Sequence, residues 1–304
     1  MATAAFEQQQ MTAFAPSPAG FSPLSKWLDA FRLHLDTLGL AKRTIQNKES
    51  GIRVIRAALG GKPICTVRTY DLAQVVRAEV AAGRQQNARF LAGLIREIFC
   101  EAACAGWIDH NPALSLSRPR APVSRPRLTW EQWRDIHFAA RTGATWLPLA
   151  LELTLATGQR RSDIAAMRYD HIRGNYLHVD QGKTGARVAI SLDLRLSILG
   201  RSLGDLIESS RDIDSEHIIH HGRSAQTPGG RVSRFALTKQ FAMARDRAIG
   251  TQPNPVTFHE QRSLAARLYD RQGLDPQNLL GHKRRATTDT YRDSRGVEWV
   301  MVNA

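Results

Sequence analysis

Residues 259–291 read HEQRSLAARLYDRQGLDPQNLLGHKRRATTDTY, and the rest of the chain is understood from this stretch. His259 and Arg262 stand three apart, so on a helix both project from one face, about one turn from each other. Leu264, Ala265, Leu268 and Tyr269 give the opposite face apolar surface to bury. Gly273 ends that helix, and Asp275-Pro276 spells an N-cap followed by proline at the first helical position. Gly281 closes a second short segment and leaves His282 just beyond it. A third segment, Ala286 to Tyr291, carries a tyrosine back towards the first helix.

Two imidazoles, a guanidinium and a phenol in this order point to phosphoryl chemistry. Arginine offers a planar fork of donors that matches phosphate oxygens and never deprotonates. Histidine can donate to the remaining oxygens or move a proton near neutral pH. Tyrosine becomes a covalent nucleophile once its proton is taken and the phosphorus is polarised. Any one of these residues alone would read as an ordinary core or surface residue; the set carries the reading.

A second stretch supports it. Trp146 to Ala156 is strongly apolar and reads as a buried helix, followed by Thr157-Gly158-Gln159-Arg160-Arg161-Ser162-Asp163. The glycine permits a sharp turn, Ser162 and Asp163 can satisfy backbone donors at the next helix start, and Arg160 is mounted between two packed helices. H-E-Q-R, L-G-H and a tyrosine nine residues on resemble the second box of the tyrosine recombinases, and T-G-x-R-x-S-D resembles their first. The run YRDSRGVEW looks most like integrases of the lambda type. Two positions depart from the family pattern: Gln261 and Arg161 stand where it usually has apolar residues. Gln261 puts the packing of its helix in question, and Arg161 is a rival to Arg160, which motif register favours.

Composition agrees. The 304 residues suffice for two domains, and the formal net charge of +14 favours a polyanionic partner. Of 42 basic residues, 35 are Arg and 7 Lys. Cys65, Cys100 and Cys104 have neither CxxC nor zinc spacing, and Cys100 and Cys104 read as small core residues of a helix in a reducing compartment. No apolar run reaches membrane-spanning length, and no secretion signal is read in the first 20 residues, which points to a cytoplasmic protein.

In chain order, residues 1–22 are Ala-, Gln- and Pro-rich and are expected to be disordered. Residues 23–116 predict four helices, about Pro23 to Gly39, Lys42 to Leu59, Tyr70 to Ala82 and Gln85 to Ala105, the last with a stripe of Phe90, Leu94, Ile98 and Phe99. Residues 117–128 contain SRPRAPVSRPR, a basic Pro/Arg linker. Arg118, Arg120, Arg125 and Arg127 there, with Arg43 and Lys48 on the second helix, are candidates for phosphate-backbone contacts. Residues 129–304 form a second domain opened by a capping box, Thr129 with Gln132. Tyr176 to Asp180 and Ala186 to Leu192 predict a β-hairpin with Lys183 at its tip, in a region that otherwise uses arginine for charge. A lysine can release a proton where an arginine cannot, so Lys183 suits a general acid, although a solvated turn lysine has the same spacing. Residues 193–250 read as mostly helical, with a break at Thr227 to Gly230. His217, His220 and His221 lack a ligand pattern and read as structural or solvated. The fold class is mainly α with a small β-sheet.

The resemblance implies more than these patterns do. It implies a helical core-binding (SAM-like) domain, a C-shaped clamp and a catalytic domain. It implies Arg160, Lys183, His259, Arg262 and His282 around the nucleophile Tyr291, with a 3′-phosphotyrosine intermediate and neither metal nor other cofactor. Its implied partners are double-stranded DNA carrying specific sites, a homotetramer on that DNA, and accessory bending or directionality factors. The apolar tail Val297 to Val302 would dock on a neighbouring protomer. An amino-terminal arm-binding domain is not expected ahead of the first helix, which leaves room for an Xer- or Cre-like layout. A type IB topoisomerase-like enzyme and a non-catalytic DNA-binding relative remain the rival readings.

Overall fold

The computed structural model describes residues 22–120 and 126–294. The chain divides into two compact units, within residues 1–123 and 124–304. The expectations for residues 1–21, for Arg125 and for the apolar tail fall outside the described residues.

The first unit is built from four helices: α1 (Leu24–Thr37), α2 (Lys42–Leu59), α3 (Thr69–Ala81) and α4 (Gln85–Cys104). Trp27 and Phe31 of α1, Ile55 of α2, Leu72 of α3 and Leu91, Ile95 and Phe99 of α4 meet in one core. The Trp27 indole donates to the Ile98 carbonyl at 3.0 Å, so its polar atom is satisfied inside that core. Two expectations for α4 need correction. Its buried stripe runs Leu91, Leu94, Ile95, Ile98, Ala102, which turns Cys100 and Cys104 to the exposed face. Phe90 also lies outside the core, beside Gly51 of α2.

The second unit begins with α5 (Trp130–Ala140), whose capping box forms as read: Thr129 accepts from the Gln132 amide and Gln132 from the Thr129 amide. Helix α6 (Leu147–Thr157) follows and buries every residue from Leu153 to Thr157, as expected of a segment apolar all round. The short α7 (Arg161–Ile164) comes next. A three-stranded antiparallel sheet has the order β1 (Ile172–Arg173), β2 (Tyr176–Asp180), β3 (Arg187–Ser191). Leu177, Val179 and Ile190 face the core while Tyr176, His178, Asp180, Arg187 and Ala189 face out, the period-two pattern of a half-buried hairpin.

After the sheet come α8 (Leu203–Glu208), α9 (Arg234–Ile249), α10 (Glu260–Arg271), α11 (Pro276–Leu279) and α12 (Arg285–Arg292). The expectation of mostly helix over residues 193–250 is corrected: residues 209–233 are irregular. Their local polar groups compete with helix. Ser215 donates to the Gly229 carbonyl at 2.7 Å, and the buried His220 pairs its Nε2 with the Ser210 carbonyl at 2.8 Å. Helix α5 packs on α9, and α10 packs on both α6 and α12. Every residue of α10 from Glu260 to Tyr269 is buried, which makes it the central helix of this unit.

Candidate active site

The buried helix α6 ends at Gly158, whose φ of +63° lets the chain reverse without a side-chain clash. The turn presents Arg160 as the N-cap residue of α7. Ser162 and Asp163 do not cap that helix, because α7 starts before them; Ser162 instead donates to Asp163. The half-buried Arg160 donates to Oε1 of Gln181 at 2.6 Å. Gln181 lies at the base of the β2–β3 hairpin and is itself buried, donating to Gln159 at 2.8 Å and to the Leu280 carbonyl at 3.0 Å. One glutamine therefore ties the Arg160 turn, the hairpin and the end of α11 together.

Arg262 lies beneath this junction with 1 % of its surface exposed. It donates to the Gly158 carbonyl at 2.7 Å, to the Leu280 carbonyl, and at 3.1 Å to Nε2 of His282. Burial and the positive Arg160 nearby pull its guanidinium down to about 10, which leaves it charged at neutral pH. His282 is also buried. Burial first, then Arg262 and Arg160, lowers its imidazole from 6.5 to about 4, so it is neutral at pH 7. Since arginine can only donate, His282 Nε2 accepts, and Nδ1 carries the proton towards Thr288 Oγ1 at 3.0 Å.

Tyr291, near the end of α12, has its ring centroid 5.1 Å from that of His282 and 5.5 Å from the Arg262 guanidinium carbon. Its hydroxyl lies 3.2 Å from Nε2 of the exposed His259, which stands at the N-cap position of α10. Four of the six residues expected to act together are thus gathered around Tyr291, and Arg160 joins them through Gln181 and its charge. Lys183 stands apart at the exposed hairpin tip, with no hydrogen bond or ion pair to any described residue.

The structure also answers the two departures from the family pattern. Gln261 is fully buried and accepts the Trp133 indole proton at 3.0 Å, so its polar end is satisfied. Arg161 turns away and donates to Thr238 at 2.7 Å. Among the residues expected to follow a phosphate backbone, Arg127 is corrected: it is 4 % exposed and pairs with the buried Glu260 at 3.0 Å. Lys48 is held by Glu97, which leaves less of its charge for an outside partner. Arg43, Arg118 and Arg120 are exposed. Gln181, Thr288 and Glu260 were not singled out from sequence. No sequence signal marked Glu260; its need for a buried cation follows from the burial of its helix on all sides in the structure.

A tyrosine hydroxyl against an imidazole, backed by two guanidinium groups, is the equipment of an enzyme that transfers phosphoryl groups through tyrosine. Comparison with known proteins specifies the class. The model of the phage integrase family matches residues 126–296. The prophage integrase IntE of Escherichia coli (strain K12) is 38% identical over 289 residues, covering 91% of this chain and 77% of that protein. A lambda integrase (75–356) dimer bound to a COC′ core site superposes with a TM-score of 0.87 at 33% identity, over 92% of this chain and 99% of that one. A lambda integrase tetramer bound to a Holliday junction gives 0.86, also at 33% identity, over 92% and 80%. The chain belongs to the phage integrase family of tyrosine recombinases.

Proposed function

We propose that this protein cuts and rejoins double-stranded DNA at specific sites through a 3′-phosphotyrosine formed on Tyr291, and so integrates or excises a mobile element. The observation that carries the assignment of the nucleophile is the 3.2 Å approach of the Tyr291 hydroxyl to His259 Nε2, over the buried Arg262–His282 pair.

In this reading Arg160 and Arg262 stabilise the charge that grows on the non-bridging oxygens as the phosphorus becomes five-coordinate. Arg160 meets the phosphate directly, while the buried Arg262 lends its charge from beneath. His282 donates through Nε2 to an oxygen after a change of tautomer that gives up the hydrogen bond from Arg262, and the Thr288 hydroxyl accommodates the change because it can donate or accept. Tyr291 passes its proton towards His259 and its oxygen bonds to phosphorus. The bond from phosphorus to the 5′ oxygen breaks, and that oxygen takes a proton from Lys183. The phosphodiester energy stays in the phosphotyrosine, so the reaction calls for neither ATP nor metal. The free hairpin tip around Lys183 suits a residue whose partner is the DNA.

The remaining assignments rest on the family. The first helical unit serves as the core-type DNA-binding domain, the active assembly on DNA is a homotetramer, and the reaction runs in the cytoplasm, on host or element DNA. The test is covalent capture on a nicked suicide substrate containing the cognate site, sought first in DNA flanking the gene, with excess EDTA present. Wild type should be captured and Tyr291→Phe should not. Capture of both would mean another nucleophile. Capture of neither, on DNA that the protein binds at its own site, would favour a binding protein.

A further inference from the structure

Helix α12 holds the tyrosine, yet its only buried residue is Thr288. Apolar burial cannot seat such an element, and a short helix of this kind belongs to the low-stability end of a fold unless polar contacts hold it. Arg292 of α12 supplies some of them, pairing with Asp270 of α10 at 3.0 Å and with Asp275 at 2.9 Å, and at the end that carries Tyr291 a guanidinium from outside the helix supplies the rest. Arg127 donates through Nε to the Asp293 carbonyl at 2.8 Å, through one terminal nitrogen to the Thr290 carbonyl, and through the other to Glu260 at 3.0 Å. The two carbonyls belong to the residues before Tyr291 and two after it, at the C-terminal end of α12, where unpaired carbonyls and the helix dipole favour a cation. Glu260 directly follows His259. A single side chain therefore straps both ends of the His259–Tyr291 contact.

Neighbouring groups reinforce the strap. Ser263 of α10 donates to the Tyr291 carbonyl at 2.7 Å, and Arg267 donates to the Leu128 carbonyl at 2.7 Å, fixing the backbone beside Arg127. Arg127 and Glu260 are each about 4–5 % exposed, so their pairing is shielded from salt and water. All five donors of the guanidinium lie on a rigid plane, which a lysine in the same place could not reproduce.

We infer that Arg127 is a positioning residue that seats the nucleophile helix by fixing the Tyr291 backbone relative to His259. The inference rests on the reading of Tyr291 as the nucleophile, but its structural half can be tested without DNA.

The experiment compares full-length wild type with Arg127→Met, Arg127→Lys and the double variant Arg127→Met/Glu260→Gln, the last removing the strap without leaving a buried charge unpaired. Hydrogen exchange of the free protein should rise about tenfold or more in residues 285–293 of the Met and double variants, with α6 and α10 unchanged. On the cognate DNA, the capture rate at saturating protein should fall by about tenfold or more while affinity changes less than about twofold, and Arg127→Lys should lie between. Unchanged exchange in residues 285–293, or exchange raised equally throughout the unit, would overturn the inference. So would an undiminished capture rate. If wild type itself gives no capture, the phosphotyrosine reading fails while the exchange result still decides whether Arg127 seats the helix.

Discussion

At the scale of single residues, the site depends on charges that burial has altered. His282 has an imidazole lowered to about 4, whereas in the unfolded chain it binds a proton near 6.5. Between those values the unfolded state takes up the proton first, so acid favours unfolding and the stability is intact above about pH 6.5. At pH 4.5 the loss from this one group should be about 2–3 kcal/mol. Urea denaturation at pH 7 and 4.5 checks it: the drop should be smaller by that amount in His282→Gln, and an equal drop in both proteins would refute it. Gln261 offers a second check, since its carbonyl holds the Trp133 indole in the core. Gln261→Leu strands that donor and should cost about 1–3 kcal/mol. Combining it with Trp133→Phe removes both polar partners, so the pair should cost on the order of 1 kcal/mol less than the sum of the single changes.

At the scale of elements, the decisive feature is how helix ends and turns deliver side chains to one point. Gly158 ends α6 in the left-handed region, and its carbonyl receives Arg262. A methyl group added there would lie 2.9 Å from Leu280 Cδ2. Left-handed backbone strain costs a non-glycine residue about 1–2 kcal/mol, and the contact adds to it. Gly158→Ala should therefore lower stability by about 2–3 kcal/mol in thermal or urea unfolding, with slower covalent capture as Arg262 is displaced. A variant as stable as wild type would show that the turn relaxes more easily than its geometry implies. The β2–β3 hairpin works differently: Gln181 anchors its base inside the protein, while its tip, with Lys183, is exposed.

At the scale of the whole molecule, a net charge of +14 sets the expectation for DNA binding. The logarithm of affinity should fall linearly with the logarithm of salt, by about 0.9 for each phosphate neutralised. Exposed Arg43 and Glu97-paired Lys48 are distinguishable on this basis. If Arg43 meets a phosphate, Arg43→Gln should reduce the slope by about 0.9, and Lys48→Gln by less. Filter binding or fluorescence anisotropy across a salt series measures both. A slope unchanged by Arg43→Gln would remove that residue from the DNA-binding surface. Among the described residues no helix is long and apolar enough to cross a membrane.

What the sequence determined by itself was local. Periodicity placed the four helices of the first unit, the buried α6 and the hairpin, because apolar spacing reports which face must leave water. Short-range chemistry placed the Thr129–Gln132 capping box and the Asp275-Pro276 helix start, because caps are satisfied within a few residues. Motif spacing brought His259, Arg262, His282 and Tyr291 together as candidates. What only the tertiary structure decided were partnerships across long separations in the chain. Arg127 read as one more linker arginine, yet Glu260, 133 residues away, draws it into the interior. Nothing in the sequence singled out Gln181, yet it joins Arg160 to Leu280. Cys100 read as core, yet the buried face of α4 lies elsewhere. In each case the fate of a polar or small side chain was set by which distant group could satisfy it or cover it. One-dimensional spacing does not contain that information.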